Sequence, residues 1–400
     1  MSIFTVTAYL IIAATSDQPF CDTALIFDPE KEDQGHVHAS CIVVCPNGDL
    51  RAVWYENGPT LPAPYFSEQR DKSDDVRIGG SRKAHDTDTW ERPFVMADTF
   101  GVSDNNPCMT IDRDQRLWLF HATLLGVPKV AWGSALLQYH IASDYAKPGP
   151  PKWEKESLLV VHPVGFEQAM EAALSGNLSE LGLSETYLRA RLKTAEGWLN
   201  DPFKCRLGWM PRGHPLVKSD GSILLPLANE NFLIAAMALT RDGGQTWAIS
   251  HALPAVGLEQ PTVVEFPDGV MAAFFRNGYP KNRIVRSDSQ DGGMTWGPVT
   301  LTDLPHPGSG IEALLLKNGH LLMIYNDTEE DPRDRLAVSV SQDRGKTWRW
   351  KRHLENAPGQ RFDYPSIIQA PDETLHATYS YNTKTIKYAH FNEAWVQQGN

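Results

Sequence analysis

An eight-residue pattern that returns three times constrains this chain most. Thr240-Arg-Asp-Gly-Gly-Gln-Thr-Trp247 recurs as Ser289-Gln-Asp-Gly-Gly-Met-Thr-Trp296 and as Ser341-Gln-Asp-Arg-Gly-Lys-Thr-Trp348. The tryptophans fall 49 and 52 residues apart (247→296→348). Glycine supplies positive φ, the aspartate accepts backbone N–H groups inside a tight turn, and the tryptophan packs beneath it. Two degraded copies lie upstream: Ser81 leads to Asp88-Thr89-Trp90, and Ser143-Asp144 leads to Trp153 across a proline-rich turn. Self-similarity on this period implies one supersecondary unit per copy, stacked on its neighbours.

A second punctuation alternates with the first. Pro46-Asn47-Gly48-Asp49, Asp112-Arg113-Asp114-Gln115, Ser219-Asp220-Gly221, Pro267-Asp268-Gly269, Lys317-Asn318-Gly319 and Pro371-Asp372-Glu373 each separate two short apolar runs. These are hairpin signals. Each unit is then a small antiparallel sheet of about four strands, and six units make an all-β, six-bladed β-propeller. A β-sandwich would not repeat on this period. The propeller is expected over residues 20–395, with a strand near Thr23–Phe27 completing the sixth blade. Residues 165–200 break the rhythm. Glu167–Leu174 and Ser184–Leu192 have helical period and propensity, with Ser184 as an N-cap, so a helical insertion is expected between blades two and three.

Composition narrows the partners. Lys+Arg number 37 against 49 Asp+Glu, a net charge of −12, which argues against nucleic acid because phosphate binding needs basic surface. Five cysteines (Cys21, Cys41, Cys45, Cys108 and Cys205) include no zinc-like spacing. Cys41 and Cys45 would stand roughly 13 Å apart on a strand, too far to bridge. No metal site or cofactor is expected. The apolar run before Ser16 is too short to span a bilayer and has a small-residue stretch at Ala13-Ala14-Thr15, so residues 1–16 are read as a signal peptide. That implies a secreted or periplasmic protein, or a cytoplasmic one if the run is instead a first strand. No stable membrane span is expected.

The repeated octad is the Asp-box, and with the blade rhythm it resembles the sialidase (neuraminidase) superfamily, in its BNR-repeat "predicted neuraminidase" branch, over roughly Gly35 to His390. That resemblance implies three arginines clamping a carboxylate, a tyrosine nucleophile assisted by a glutamate, and an aspartate acid/base. A neutral tyrosine suits an anomeric centre that bears a carboxylate, because it avoids like-charge repulsion, and arginines bind carboxylates bidentately. Mapped on this sequence, the clamp falls on Arg276, at the end of Ala272-Ala-Phe-Phe-Arg276, and on Arg333, with Arg335 as a second candidate. Tyr364, before the Pro371-Asp372 hairpin, matches the nucleophile. The family's Arg-Ile-Pro opening aligns with His38-Ala39-Ser40, so His38 replaces the first arginine. Gln260 replaces the assisting glutamate, with Glu259 adjacent. Asp75 or Asp74 would supply the acid. Asn106, Arg212, His214, Glu230 and Asn326 hold comparable blade positions and are substrate-binding candidates. Tyr379 and Tyr381 read as core or rim aromatics.

The resemblance implies a carbohydrate-active propeller, an exo-glycosidase on an acidic sugar or glycan, with the changes at His38 and Gln260 predicting little strict sialidase turnover. Two other classes fit the same residues: a polysaccharide lyase on uronate-containing glycans, and a non-catalytic glycan-binding propeller.

Overall fold

The computed structural model describes residues 18–399 except 33, 69, 127–130, 167, 169–184, 200 and 278–281. Six antiparallel sheets follow one another along the chain. Blade I comprises His38–Val44, Leu50–Asn57, Val76–Lys83 and Phe94–Ala97. Blade II comprises Ser103–Ile111, Leu117–Leu124, Ala135–Ala142 and Lys155–Leu159. Blade III is built on Ile223–Asn229 and Ile234–Thr240, with short strands Trp209–Met210, Leu216–Val217 and Ala248–Ile249 at its edges. Blade IV holds Leu258–Glu265, Met271–Asn277, Arg283–Ser289 and Thr300–Pro305. Blade V holds Glu312–Leu315, Leu321–Asn326, Arg335–Ser341 and Trp350–Asn356.

Blade VI closes the ring. Its strands Phe362–Gln369, Leu375–Tyr381 and Thr385–Phe391 are completed by Cys21–Leu25 from the other end of the chain, with Cys21 opposite Phe391 and Leu25 opposite Lys387. The closing strand begins two residues before the expected Thr23. Closure leaves the ring without a gap and ties both ends of the propeller into one sheet.

The boxes form the turns their sequence implies. In the first, Asp242 Oδ1 accepts from Gln245 N at 3.0 Å and Thr246 N at 2.9 Å, and Oδ2 accepts from Thr246 Oγ1 at 2.6 Å. Asp291 and Asp343 repeat the bond to the threonine at 2.6 Å. The glycine at the fifth position of each box, 244, 293 and 345, has φ of 78°, 90° and 82°, which only glycine adopts without strain. The tryptophans lock blades together. Trp247 meets Trp118, Phe120 and Tyr139 of blade II edge-on, and Trp90 meets Tyr388 of blade VI at 5.3 Å. Trp153 Nε1 donates to Met96 O of blade I. Trp296 and Trp348 pack into the clusters joining blades III to IV and IV to V.

Between blades II and III the chain forms the helices Glu185–Leu199 and Pro202–Arg206. The Glu167–Leu174 run, Ser184 and residues 1–16 lie outside the described residues. All five cysteines are free. No described helix is long and apolar enough to cross a membrane.

Candidate functional site

The innermost strands of four blades carry the same irregularity. Each register shifts at a bulge, between His38 and Cys41, Asn105 and Cys108, Glu259 and Thr262, and Asp363 and Ser366. Inside each bulge one non-glycine residue has positive φ: Ala39 at 55°, Asn106 at 50°, Gln260 at 45° and Tyr364 at 50°. Such backbone costs about 1–3 kcal/mol per residue and clusters where side chains must be re-aimed. Asn106, Gln260 and Tyr364 each precede a proline, which suits a bulge because no ladder N–H is lost there.

Tyr364 is the centre of this ring. Arg276 Nη1 donates to its hydroxyl oxygen at 2.6 Å and Gln260 Nε2 at 3.2 Å. The Gln260 amide is oriented by Arg276, which donates to Oε1 at 3.4 Å. Arg276 Nε pairs with Glu259 at 3.1 Å. The charges of Glu259 and Glu230, with the Tyr364 contact, raise the guanidinium further above its ordinary value despite burial. The His38 ring meets Tyr364 edge-on at 4.4 Å, and Tyr55 and His36 extend this aromatic wall. Gly310 lies so close that an added Cβ would stand 2.9 Å from the Tyr364 ring.

Burial, followed by the positive charge of His36 and the arginines, holds His38 well below the ordinary histidine range. It is therefore neutral. The Ser380 hydroxyl accepts from Ala39 N and stands 3.0 Å from His38 Nδ1; donating its proton there leaves Nε2–H as the imidazole's donor. His306 is also neutral: Gly308 N donates to its Nδ1, its Nε2–H donates to Ser309 O, and burial takes it down to about 3.

The other cations divide by access. Arg333 donates to buried Asp363 at 2.7 Å and to Gly308 O at 2.9 Å. Arg361, which the sequence analysis passed over, pairs with the other oxygen of Asp363 at 2.5 Å. Its signal is the segment Arg361-Phe-Asp-Tyr364, in which a buried carboxylate separates arginine from the central tyrosine. Arg212 is 1% exposed, with Nη2 on Pro365 O at 2.8 Å and its guanidinium 5.2 Å from the Tyr364 ring. Its guanidinium packs against the tyrosine, and its buried Nε has no hydrogen-bond partner among the described residues. Arg335 is half-exposed and pairs with its neighbour Asp334, outside the cluster.

Asn326 is fully buried. Its oxygen accepts from Ser309 Oγ and its nitrogen donates to Phe362 O, Arg335 O and Arg333 O, so it braces the loops that carry Arg333 and Tyr364. Asn106 is buried on its bulge, and its amide has no hydrogen-bond partner among the described residues. Tyr379 is core and donates to Glu355; Tyr381 stacks on Phe362.

The loop expected to carry the acid holds three aspartates in different settings. Asp75 accepts from Asn57 Nδ2 at 2.8 Å and Ser67 Oγ at 2.5 Å, and Asp74 accepts from Phe66 N at 2.7 Å. Both brace the loop. Asp71 is the carboxylate whose charge acts on His36 and Tyr55, in the pocket wall.

A largely buried ion pair joins Glu312 to His214. Glu312 Oε1 accepts from His214 N at 2.8 Å and Nδ1 at 2.7 Å, and Oε2 accepts from Ile367 N at 3.0 Å. His214 Nε2 donates to Ile42 O at 2.6 Å. With an acceptor on each ring nitrogen, His214 is an imidazolium, raised well above its ordinary value as Glu312 is lowered. This pair links blades I, III, V and VI, and its histidine stands two residues after Arg212.

Glu230 follows the strand Ile223–Asn229 and is raised to about 7 by burial and then by Glu259, against the opposing charges of Arg276 and Lys72. Among the described residues no group of three or more His, Cys, Asp or Glu is placed to hold a metal ion.

A family model described as a BNR repeat-like domain matches residues 191–377. A sialidase of Micromonospora viridifaciens is 29% identical over 175 residues, which are 40% of this chain and 26% of that protein. A sialidase of Clostridium perfringens is 29% identical over 150 residues, covering 33% and 39%. The chain thus spans well under half the length of these curated relatives. Among solved structures, a protein of unknown function from Dyadobacter fermentans superimposes with TM-score 0.65 at 16% identity, covering 92% of this chain and 97% of that one. A Hadza microbial sialidase gives 0.66 at 15%, covering 94% and 69%. The intramolecular trans-sialidase from Ruminococcus gnavus gives 0.64 at 12%, covering 92% and 97%.

Fold and box turns together define a sialidase-like six-bladed propeller. The chain is similar to sialidases and to the BNR repeat-like domain family over part of its length.

Proposed function

We propose that this propeller is an exo-glycosidase acting on a glycan that ends in an acidic sugar. The observation that carries the reading is the Tyr364 hydroxyl, held between the donors of Arg276 and Gln260. Two preorganised donors, one of them cationic, stabilise negative charge as it develops on that oxygen. Tyr364 attacks or stabilises the anomeric carbon. Arg276, with Arg333 and Arg361 behind it, holds the sugar's anionic substituent, and neutral His38 donates a hydrogen bond beside it. Asp71 takes the acid role expected of Asp75 and protonates the departing oxygen. Asn106 adds an amide at the pocket.

Neutral His38 edge-on to Tyr364 at 4.4 Å favours one other reading, a lyase in which this pair moves protons beside an arginine-neutralised uronate. Incubating the pure protein with sialosides, uronides and sulfated glycans tests both. Release of a reducing sugar without an unsaturated product supports hydrolysis. An absorbance rise from an unsaturated uronate supports the lyase, and no product from any of them refutes both. On the N-terminal apolar run we assign the protein to the secreted or periplasmic space, which sequencing the N-terminus of the mature protein tests.

A further inference from the structure

Among the described residues three pairs of histidine rings touch, His36–His38, His121–His140 and His376–His390, and all three border blade I. The first stands at the start of that blade's innermost strand. The other two lie in its seams, one against blade II and one against blade VI.

In the seam with blade II the rings stack 5.0 Å apart, with Nε2 facing Nε2 at 2.8 Å. That contact holds one proton and has no room for a second. Asp104 Oδ1 stands 3.4 Å from His121 Nδ1, and Glu156 Oε2 stands 3.5 Å from His140 Nδ1. Both Nδ1 atoms are buried without a hydrogen-bond partner among the described residues. Asp98 and Arg77 are the next charges beyond Asp104. The pair is tied to blade I. The Trp153 ring lies 5.3 Å from His140 and its indole N–H donates to Met96 O, while Asp104 accepts from Thr99 N at 2.6 Å. Burial, then the charge of His121, takes His140 down to about 3, against the charge of Asp104.

In the seam with blade VI, His376 and His390 stack face to face at 4.5 Å. Thr374 Oγ1 donates to Asp372 at 2.7 Å, so it accepts from His376 Nε2 at 3.2 Å, and His376 Nδ1 accepts from the Tyr388 hydroxyl at 2.6 Å. A proton on Nδ1 would break that last bond, and Tyr388 is the ring that meets Trp90 of blade I. His390 Nε2 is buried without a partner among the described residues. Burial and then His390 take His376 down to about 3, and burial lowers His390 as well. Asp372 opposes both shifts and Asp22 opposes that of His390, while Lys83, which ends a blade I strand, adds to both.

Each closed seam therefore refuses a proton that an opened one accepts. Above the ordinary histidine value of about 6.5 the refusal costs nothing. As pH falls below it, the open form binds more protons and gains on the closed one. Blade III has no such pair: His214 is already an imidazolium, and Glu230 acts with the opposite sign.

We infer that blade I is the acid-labile unit of this ring: protonation of the histidine pairs in both its seams frees it, together with His38 and the Asp71 loop, while blade III stays closed. The inference stands whatever the central pocket binds.

Hydrogen exchange, expressed as protection factors at pH 7.5 and pH 5, resolves opening blade by blade. In the wild type the strands Leu50–Asn57 and Val76–Lys83 lose protection by about tenfold or more at pH 5, because each histidine released to its ordinary value favours opening by up to about thirtyfold over that interval. Ile223–Asn229 and Ile234–Thr240 of blade III keep theirs. The double variant His140→Gln, His390→Phe loses clearly less in blade I between the two pH values than the wild type does. His390→Phe alone keeps the ring stack, loses an intermediate amount, and decides the matter if the double variant does not fold. Unchanged blade I protection at pH 5, an equal loss in blades I and III, or a loss as large in the folded variants as in the wild type overturns the proposal.

Discussion

Arg276 Nη1 donates to the Tyr364 hydroxyl oxygen at 2.6 Å, across the pocket from a neutral His38. The phenol oxygen is thus an acceptor for a cation and an amide at once, and the proposed chemistry depends on it. Tyr364→Phe removes that oxygen and leaves the ring that packs on Arg212, Gly310 and His38. We expect loss of turnover by about 10²–10³-fold, as for a deleted oxyanion donor, with an unchanged circular-dichroism spectrum. Retained turnover in the folded variant would count against Tyr364.

Strict sialidase turnover should be weak. His38 stands where the superfamily's first clamp arginine would be, and Gln260 where its assisting glutamate would be. Burial keeps His38 neutral, so it cannot replace the missing charge at any physiological pH. Efficient cleavage of a fluorogenic sialoside by pure protein would overturn this expectation.

The box tryptophans are structural. Trp296 is buried between blades III and IV, and its indole N–H donates to Gly293 O at 3.1 Å. Trp296→Ala should cost about 3–5 kcal/mol, as for other buried large aromatics, with activity per folded molecule unchanged. Denaturant melts beside activity of the folded fraction measure both. A stable variant with no activity would contradict the assignment.

Much of the fold was legible because its signals are local. Octads, glycine turns and spacing specify a hairpin each, and a six-fold recurrence specifies the ring. The site was legible only in part. Tyr364, Arg276 and Gln260 sit on innermost strands, where sequence and position coincide. Asn326 and Arg212 occupy comparable strand ends, but their direction depends on which carbonyls face them, Phe362 O and Pro365 O, and these lie 36 and 153 residues away. The partners of Asp75, Asn57 and Ser67, are set by the loop's fold and left no signal in the sequence. Arg361 was missed because its role passes through Asp363. The bulge itself left a signal that was not used: a polar residue before proline on the first strands of blades II, IV and VI.

Glu312→Gln should be strongly destabilising. It leaves the His214 imidazolium buried without its counter-ion, which typically costs about 3–5 kcal/mol. The double variant His214→Gln, Glu312→Gln should recover part of that loss in urea denaturation. If the single variant is as stable as the wild type, the buried pair is not ionised.

Glu230 should make stability fall as pH rises. The folded protein keeps this proton to about pH 7, whereas the unfolded chain releases it near the ordinary value of about 4.3. Between those limits the folded state binds more protons, so each step up in pH favours unfolding. The contribution is fully present below the unfolded value and lost through the folded one. Denaturation at pH 5 and pH 8 should show a smaller drop for Glu230→Gln than for the wild type; equal drops would contradict it.

Calorimetric titration of acidic monosaccharides into the wild type and Arg276→Ala tests the central claim most directly. N-acetylneuraminic and glucuronic acids are the probes, with thermal melts to show that the variant is folded. The account predicts that the wild type binds at least one of them and that Arg276→Ala loses about 2–5 kcal/mol of affinity, the usual consequence of removing one partner of a buried charge pair. A folded Arg276→Ala variant that binds every such sugar as tightly as the wild type would contradict it.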